Sequence, residues 1–295
     1  MNLHTVIKKL GEENKEIKLL NNDELTILHK VLLDMIKDFS DICNEYNIKW
    51  SLTAGNMLGA VRHKGFIPWD DDIDVIMTRF EFDKLKSKFQ DNDKYYLASP
   101  GDDGYILHYP RIFKKNTKFR SLLSVDDGHN GLYIDIFLLE NVPNNVILKY
   151  LHGTLCTILL GVISSVRVNY CKKTLMKYSD NNKVLRNEIN KRLYIGRIFS
   201  IIPIEKWMAF ANKCFSMCKN ETSQNVVIPS GAKHYFGEIF NREKLCTYTK
   251  VKFENLLLPI PLNYEHYLKL RYGDSYMIPP KETVKEKRAL IEYQL

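Results

Sequence analysis

SLTAGNMLGAVRHKGFIPWDDDIDVI, residues 51–76, sets four aspartates within five positions, directly after a glycine-bearing turn and a basic tripeptide. The run Asp72-Ile73-Asp74-Val75-Ile76 alternates polar and apolar residues with the period of a strand, so the side chains of Asp72 and Asp74 emerge on one face. The same alternation turns Asp71 to the other face. Two hard oxygen ligands on a rigid strand make half of a divalent-metal site, with Mg²⁺ or Mn²⁺ the fitting ions. Acidic clusters are usually solvated turns, but this one is entered through Phe66-Ile67-Pro68-Trp69 and left through Ile73, Val75 and Ile76, all suited to burial. Like charges crowded beside apolar surface repel and lose solvation, and a counter-cation relieves both costs.

The residues before the acids read as a phosphate-handling element. Trp50 to Thr53 is a short strand, Gly55 marks a turn, and Asn56 to Val61 has helix-forming composition, so free N–H groups of a helix end follow a strand directly. Arg62, His63 and Lys64 add positive charge between that turn and the acids. Further along, Gly131 to Leu139 is the strongest strand pattern in the chain, with Asp135 as its single acid amid β-branched and aromatic residues. An acid in such a run is either hydrogen-bonded in the core or functional; with a carboxylate pair upstream, Asp135 becomes the natural third ligand or general base.

The surrounding pattern predicts an α+β (mixed α/β) fold. A helix capped by Asn22 or Asp23 runs from about 24 to 46, with Leu25, Leu28, Val31, Leu32, Met35, Ile36 and Ile42 as its apolar stripe. Strands are expected near 49–53, 72–77, 105–113 and 131–139, and helices near 56–63 and 79–90. After Pro143 the character turns helical, and a short helix over 263–271 stops at Gly273. This divides the chain into a catalytic core over 1–145, a membrane- or acceptor-facing helical insertion over 146–240, and a C-terminal segment over 241–295 that packs back on the core.

The block GNMLGAVRHKGFIPWDDDID, residues 55–74, resembles the signature of the LicD family of phosphotransferases, within the nucleotidyltransferase-fold superfamily. The preceding helix, the strand at 133–137 and the C-terminal segments KFE (252–254), PIP (259–261) and YGDSYM (272–277) resemble family segments in order, whereas 150–230 matches no such pattern. The resemblance implies a nucleotidyltransferase-like mixed sheet flanked by helices and a Mg²⁺-dependent enzyme. Its reaction would move a substituted phosphate from a CDP-linked donor, CDP-choline first among them, to a hydroxyl of a surface glycan or lipid-linked glycan such as teichoic acid or lipopolysaccharide. Glycerol or ribitol phosphate are alternative groups. By the same resemblance Gly55 and Asn56 face the donor phosphates, Asp72 and Asp74 are paired ligands, and Asp135 is the third carboxylate. Family members usually carry Thr or Ser where this chain has Asn56, which replaces a hydroxyl by an amide.

In that chemistry charge develops on the transferred phosphoryl oxygens, so cationic donors matter most. Arg62 is the first choice for a phosphate contact, with His63 and Arg111 next; His63 reads somewhat more readily as a structural histidine than as a catalytic one. A quaternary ammonium needs aromatic faces, and Trp69 adjoins the acids, with Tyr105, Tyr109 and Tyr133 on predicted strands. Two rival readings share the acids: a nucleotidyltransferase releasing pyrophosphate, and a non-catalytic calcium binder, although DDDID lacks EF-hand spacing.

The balance of 43 basic to 35 acidic residues gives a formal charge of +8. The excess is not gathered into a reading helix or single-strand platform, so no nucleic acid is expected as partner. Residues 150–166 carry no formal charge between Lys149 and Arg167, and Lys172, Lys173 and Lys177 follow. The stretch is short for a span and reads as a buried helix or one lying on an anionic membrane. The first 18 residues are rich in Lys and Glu and the six cysteines lack zinc spacing, so the expected location is cytoplasmic, peripheral to the inner membrane face.

Overall fold

The structure, a computed structural model, describes residues 17–121, 129–179, 183–281 and 290–295. Nearly all of the Lys- and Glu-rich N-terminal stretch therefore lies outside the described residues. Helix α1 (Asn22–Glu45) is capped one residue earlier than the sequence suggests. Asn21 Oδ1 accepts from the Glu24 N–H at 2.9 Å, and the Asn21 N–H donates back to the Glu24 carboxylate at 3.0 Å. Glu24 three residues on closes this reciprocal pair, which neither Asn22 nor Asp23 can do. Leu25, Leu28, Leu32, Met35, Ile36, Phe39 and Cys43 then recur at helical spacing and are all buried.

The central sheet is mixed. Strands β1 (Ser51–Leu52), β2 (Ile73–Thr78), β3 (Tyr95–Ala98), β4 (Arg111–Lys114) and β6 (Tyr133–Asn141) lie in the order β1-β2-β6-β4-β3. Helix α2 (Ala54–Arg62) joins β1 to the acidic run and α3 (Arg79–Lys88) follows β2. β2 and β6 are parallel, whereas β1 runs antiparallel to β2 and β4 antiparallel to β6. The strand expected over 105–113 is shorter: only Arg111–Lys114 pairs, and 105–110 is irregular. Pro110 has no N–H for a ladder, and its carbonyl accepts from Ile136 as the strand begins. Strand β5 (Lys118–Ser121) pairs instead with β11 (Leu290–Gln294) near the C-terminus.

After Pro143 the chain is helical, through α4 (Val146–Tyr170), α5 (Lys172–Ser179), α6 (Lys183–Phe199) and α7 (Ile204–Phe215). It returns as β7 (Asn225–Val227), which pairs the end of β6, then α8 (His234–Gly237), β8 (Ile239–Asn241) and α9 (Arg242–Cys246). Strands β9 (Tyr248–Phe253) and β10 (Leu256–Pro261) form a hairpin, followed by α10 (Tyr264–Tyr272). By length and composition α4 could cross a membrane, with 33% of its most apolar window buried inside the protein. Its Cys156, Leu160, Ile163 and Val166 pack with Ile189, Leu193, Met208, Ala211 and Phe215, while Val146, Ile147, Leu148, Tyr150 and Leu151 are exposed.

The buried apolar residues form two clusters. One centres on the sheet and α1 and takes in Phe253, Leu258, Ile260, Tyr267 and Leu268 from the C-terminal segment. The other is the helical cluster around α4. An ion pair links their walls: Arg79, at the start of α3, forks onto the Glu140 carboxylate of β6 and also donates to Asn212 Oδ1 of α7 at 2.9 Å. The Glu140 side chain is only 2% exposed. Removing one charge from such a pair strands the other in low dielectric, at a cost of about 3–5 kcal/mol. Glu140→Gln is therefore expected to lower the unfolding free energy by about 3 kcal/mol in guanidinium titrations, and adding Arg79→Met should restore much of it.

Candidate active site

The pairing of β2 with β6 sets Asp74 directly opposite Asp135, and the pairing of β4 with β6 sets Arg111 opposite Asp135 on its other side. Directly paired residues share a face, with strands about 4.8 Å apart. The result is a row of acid, acid and guanidinium across three strands. Asp72, just ahead of β2, completes the group: one carboxylate oxygen each from Asp72, Asp74 and Asp135 lie within 4.8 Å of one another. Oxygens of Asp70, Asp71 and Asp72 form a second such group. Asp71 thus does not turn away as the alternation suggests. Regular strand begins only at Ile73, and the bend before it gathers three consecutive carboxylates.

Burial pushes the Asp74 carboxyl well above its ordinary range, and the charges of Asp72, Asp135 and Asp70 push the same way, with Arg271 opposing. Asp135, itself buried, accepts from Arg111 through both oxygens, one of them at 3.3 Å from a terminal guanidinium nitrogen. That guanidinium also lies 3.5 Å from the centre of the Tyr133 ring. Burial is the largest single influence and works against the Arg111 charge, but Asp135 together with Tyr133, Tyr109 and Tyr105 outweighs it and holds the group firmly protonated. Arg111 thus pairs with Asp135, beside the acids rather than at the turn with Arg62 and His63.

Asn56 has also found other work. Its side chain is buried, donates to the Asp72 carbonyl at 3.1 Å and accepts from the Asp74 N–H. One amide thereby clamps the backbone on both sides of Ile73, donating from its nitrogen and accepting at its oxygen, where a Thr or Ser hydroxyl offers a single oxygen for both. Gly55 makes room for Asp70: a Cβ there would stand 2.5 Å from Asp70 Oδ2. His29 of α1 donates from Nε2 to the Asp70 carbonyl at 2.7 Å and stacks on Phe66. The hairpin tip fixes the loop that leads into the acids, since Glu254 accepts from the Phe66 N–H at 3.0 Å and its N–H donates to Lys64 at 2.8 Å. Gly65 is required beneath it, where a side chain would collide with the Glu254 carboxylate.

Of the remaining expected residues, Arg62 donates to the Tyr276 carbonyl at 2.8 Å, and burial lowers its pKa. His63 meets Trp69 edge-on at 6.1 Å, with its pKa lowered by burial and then by Arg62. Both lie beside the acidic turn rather than in the strand row. Sequence reasoning missed Arg271. Tyr267 of α10 hydrogen-bonds Thr53 Oγ1 at 2.8 Å, and Thr53 in turn donates its N–H to the Asp74 carbonyl at 3.1 Å. One helical turn later on the same face comes Arg271, held by the buried Glu238 at 3.4 Å and close enough to favour the Asp74 charge. The only signal for it was the four-residue spacing from Tyr267.

Residues 47–152, which hold the whole strand row, match the family described as LicD/FKTN/FKRP, nucleotidyltransferase domain. The lipopolysaccharide cholinephosphotransferase LicD of Haemophilus influenzae is 26% identical over 266 residues, covering 86% of this chain and 92% of that protein. An uncharacterized protein of Rickettsia prowazekii is 27% identical over 116 residues, 39% of this chain and 41% of the relative. Arg271 lies outside the matched domain.

A carboxyl whose pKa is raised by folding favours the folded state below its unfolded pKa, and that contribution is lost as pH rises through the folded value. Asp74 therefore destabilises the cation-free protein at neutral pH. Asp74→Asn is expected to raise the melting temperature in EDTA at pH 7, by about 2–4 °C per kcal/mol of repulsion removed, with the gain vanishing near pH 3. If the cluster holds a divalent ion, Mg²⁺ or Mn²⁺ should raise the melting temperature of the parent chain and not that of the variant, as read by thermal scanning with each ion.

Proposed function

Because the chain belongs to the LicD family, with its nucleotidyltransferase domain at residues 47–152, we propose that it transfers phosphocholine from a CDP-linked donor to a hydroxyl of a surface glycan. Lipopolysaccharide is the acceptor of the Haemophilus relative. The observation that carries the reading is the convergence of Asp72, Asp74 and Asp135 within 4.8 Å, with Asp74 and Asp135 in register on parallel strands. These are hard oxygen donors of the kind Mg²⁺ prefers, and an octahedral ion held by two or three of them keeps positions for substrate phosphate. Asp72, Asp74 and Asp135 would hold the ion, which when bound supplies positive charge to the transferred phosphoryl oxygens.

The acceptor hydroxyl oxygen forms a new bond to the choline-bearing phosphorus, and the bond from that phosphorus to the bridging oxygen breaks, so CMP leaves with the electron pair. The hydroxyl proton passes to a carboxylate of the acidic group. Asp135 is the poorest base among them, because the Arg111 fork stabilises its anion; it acts as a ligand and a fixed charge. Asn56 holds Asp72 and Asp74 at constant spacing through their backbone, and Arg271 offsets charge at Asp74. Choline is chosen over glycerol or ribitol because the Haemophilus relative is a lipopolysaccharide cholinephosphotransferase.

The location we propose is the cytoplasmic membrane face. Five exposed apolar residues at the start of α4 are joined in the same helical region by Tyr194, Ile198 and Ile201, which are 73%, 54% and 86% exposed. Lys172 and Lys173 lie on α5. Apolar surface with nearby basic residues is what anionic bilayers bind.

Incubation with Mg²⁺ and CDP-choline, CDP-glycerol or CDP-ribitol in the presence of lipopolysaccharide, followed by quantification of CMP, tests the reading. CMP should form fastest from CDP-choline, and Asp72→Asn or Asp74→Asn should each slow it at least about a thousandfold without loss of fold by circular dichroism. Near-normal turnover in both variants, or pyrophosphate release from CTP instead, would refute it. Vesicles containing phosphatidylglycerol should co-sediment the chain at low salt and release it at high salt.

A further inference from the structure

Strand β6 is buried along its whole length except at Phe137. Phe137 lies two residues after Asp135, so both side chains leave the same face of the sheet. Register continues that face into a second row. Ile76 of β2 pairs with Phe137 on one side. On the other, the ring of Tyr109, two residues before Arg111, stacks on the Phe137 ring, with centroids 5.0 Å apart and planes at 30°. The acid row of Asp74, Asp135 and Arg111 is thus followed by a row of Ile76, Phe137 and Tyr109, about 6.6 Å further along the strands. Ile76 is fully buried, whereas Phe137 and Tyr109 are half-buried, as are Asp72, Asp74 and Arg111. The two rings are therefore exposed together with the acids rather than sealed beneath them.

The Tyr109 ring is held in place from several sides. Its carbonyl accepts from the Tyr105 hydroxyl at 2.8 Å, its hydroxyl oxygen accepts from Arg111 at 3.4 Å, and the His108 ring meets it edge-on at 5.2 Å. Phe137 touches no ring but Tyr109 among the described residues. The guanidinium of Arg111 already stands over Tyr133, Tyr109 and Phe113, at 3.5, 5.6 and 6.0 Å from their centres, and among the described residues no cation stands over Phe137. The second row offers one polar atom, the Tyr109 hydroxyl oxygen, and Arg111 already donates to it. A ligand group rich in hydroxyls or amide-like atoms would lose hydrogen bonds to water over such a floor. A quaternary ammonium loses none, since it has no N–H, and it gains from ring faces and from carboxylates nearby.

We propose that Phe137, backed by Tyr109, is the specificity-determining surface for the trimethylammonium group of the donor. This rests on the reading that the transferred phosphate lies at the acid row. Two carbons separate the ammonium from its phosphate oxygen, a reach of about one row. The same floor disfavours glycerol and ribitol, whose hydroxyls it cannot satisfy, and it disfavours the cytosine ring for the same reason.

Calorimetric binding to the full chain with Mg²⁺ present tests this, with phosphocholine, glycerol 3-phosphate and CMP as probes. The parent chain should bind phosphocholine more tightly than glycerol 3-phosphate. Phe137→Leu keeps an apolar side chain but removes the ring face, and should weaken phosphocholine about threefold to thirtyfold while leaving the other two probes unchanged. Phe137→Tyr keeps the ring and should bind phosphocholine as the parent does. Turnover should show the same split: in Phe137→Leu the ratio of kcat/KM for CDP-choline to that for CDP-glycerol should fall by a similar factor. Equal loss for all three probes would mark a packing role, and lost CMP affinity alone would put the base or ribose on the row. Either result overturns the proposal, as does phosphocholine affinity that is absent in the parent or unchanged in Phe137→Leu. Turnover of CDP-choline with selectivity unmoved by Phe137→Leu would leave the transferase reading standing without this surface. Phosphocholine binding that depends on the Phe137 ring, in a chain that releases no CMP from CDP-choline, would do the reverse.

Discussion

Two carboxylates held face to face on neighbouring parallel strands are the constraint on which this site depends. Asp74 and Asp135 are register partners, and nothing in the ladder itself lets them move apart. The register is locked from behind. Ile73, Val75, Ile134 and Ile136 are all buried, and a slip by one residue would carry them to the other face and the acids into apolar packing. The repulsion is therefore stored in the native sheet rather than relaxed. Arg111, opposite Asp135 on the next strand, answers one of the two charges; a bound divalent cation is the natural answer to the other.

Much of the remaining structure can be understood as holding that arrangement still. The amide of Asn56 fixes the backbone at Asp72 and Asp74, the His29 ring fixes the carbonyl of Asp70, and the Glu254 hairpin fixes the loop between Lys64 and Phe66. These supports come from three separate parts of the chain. Each is a polar contact to backbone, which positions the carboxylates without competing for their oxygens.

The C-terminal segment enters the same argument through a cation, and the helical region through its packing. Arg271 is presented by α10 because Tyr267, one turn earlier, is anchored on Thr53, and Glu238 holds its guanidinium from the other side. The buried stripe of α4, Cys156, Leu160, Ile163 and Val166, is fastened to a separate apolar cluster. The Arg79–Glu140–Asn212 bridge fixes that cluster against the sheet. The mixed sheet supplies the acids and, through Arg111, the nearest compensating charge, and α10 adds Arg271.

The sequence by itself determined the acidic strand, the third aspartate on its own strand, the amphipathic first helix and the mixed α+β class, because each is written in local periodicity that burial enforces. It also carried the resemblance that led to the family, since that signature is contiguous. Its errors were local too: the strand expected over 105–113 is cut short by Pro110, the helix cap moved to Asn21 because Glu24 answers it, and Asp71 joined the cluster because the strand starts late. Only the tertiary structure decided the partners. Strand register sets Arg111 against Asp135, and packing sets the Asn56 amide against the backbone of Asp72 and Asp74. Arg271 looked like one basic residue of a short surface helix. Which charge meets which depends on contacts between residues tens to hundreds of positions apart, and local pattern holds no information about those distances.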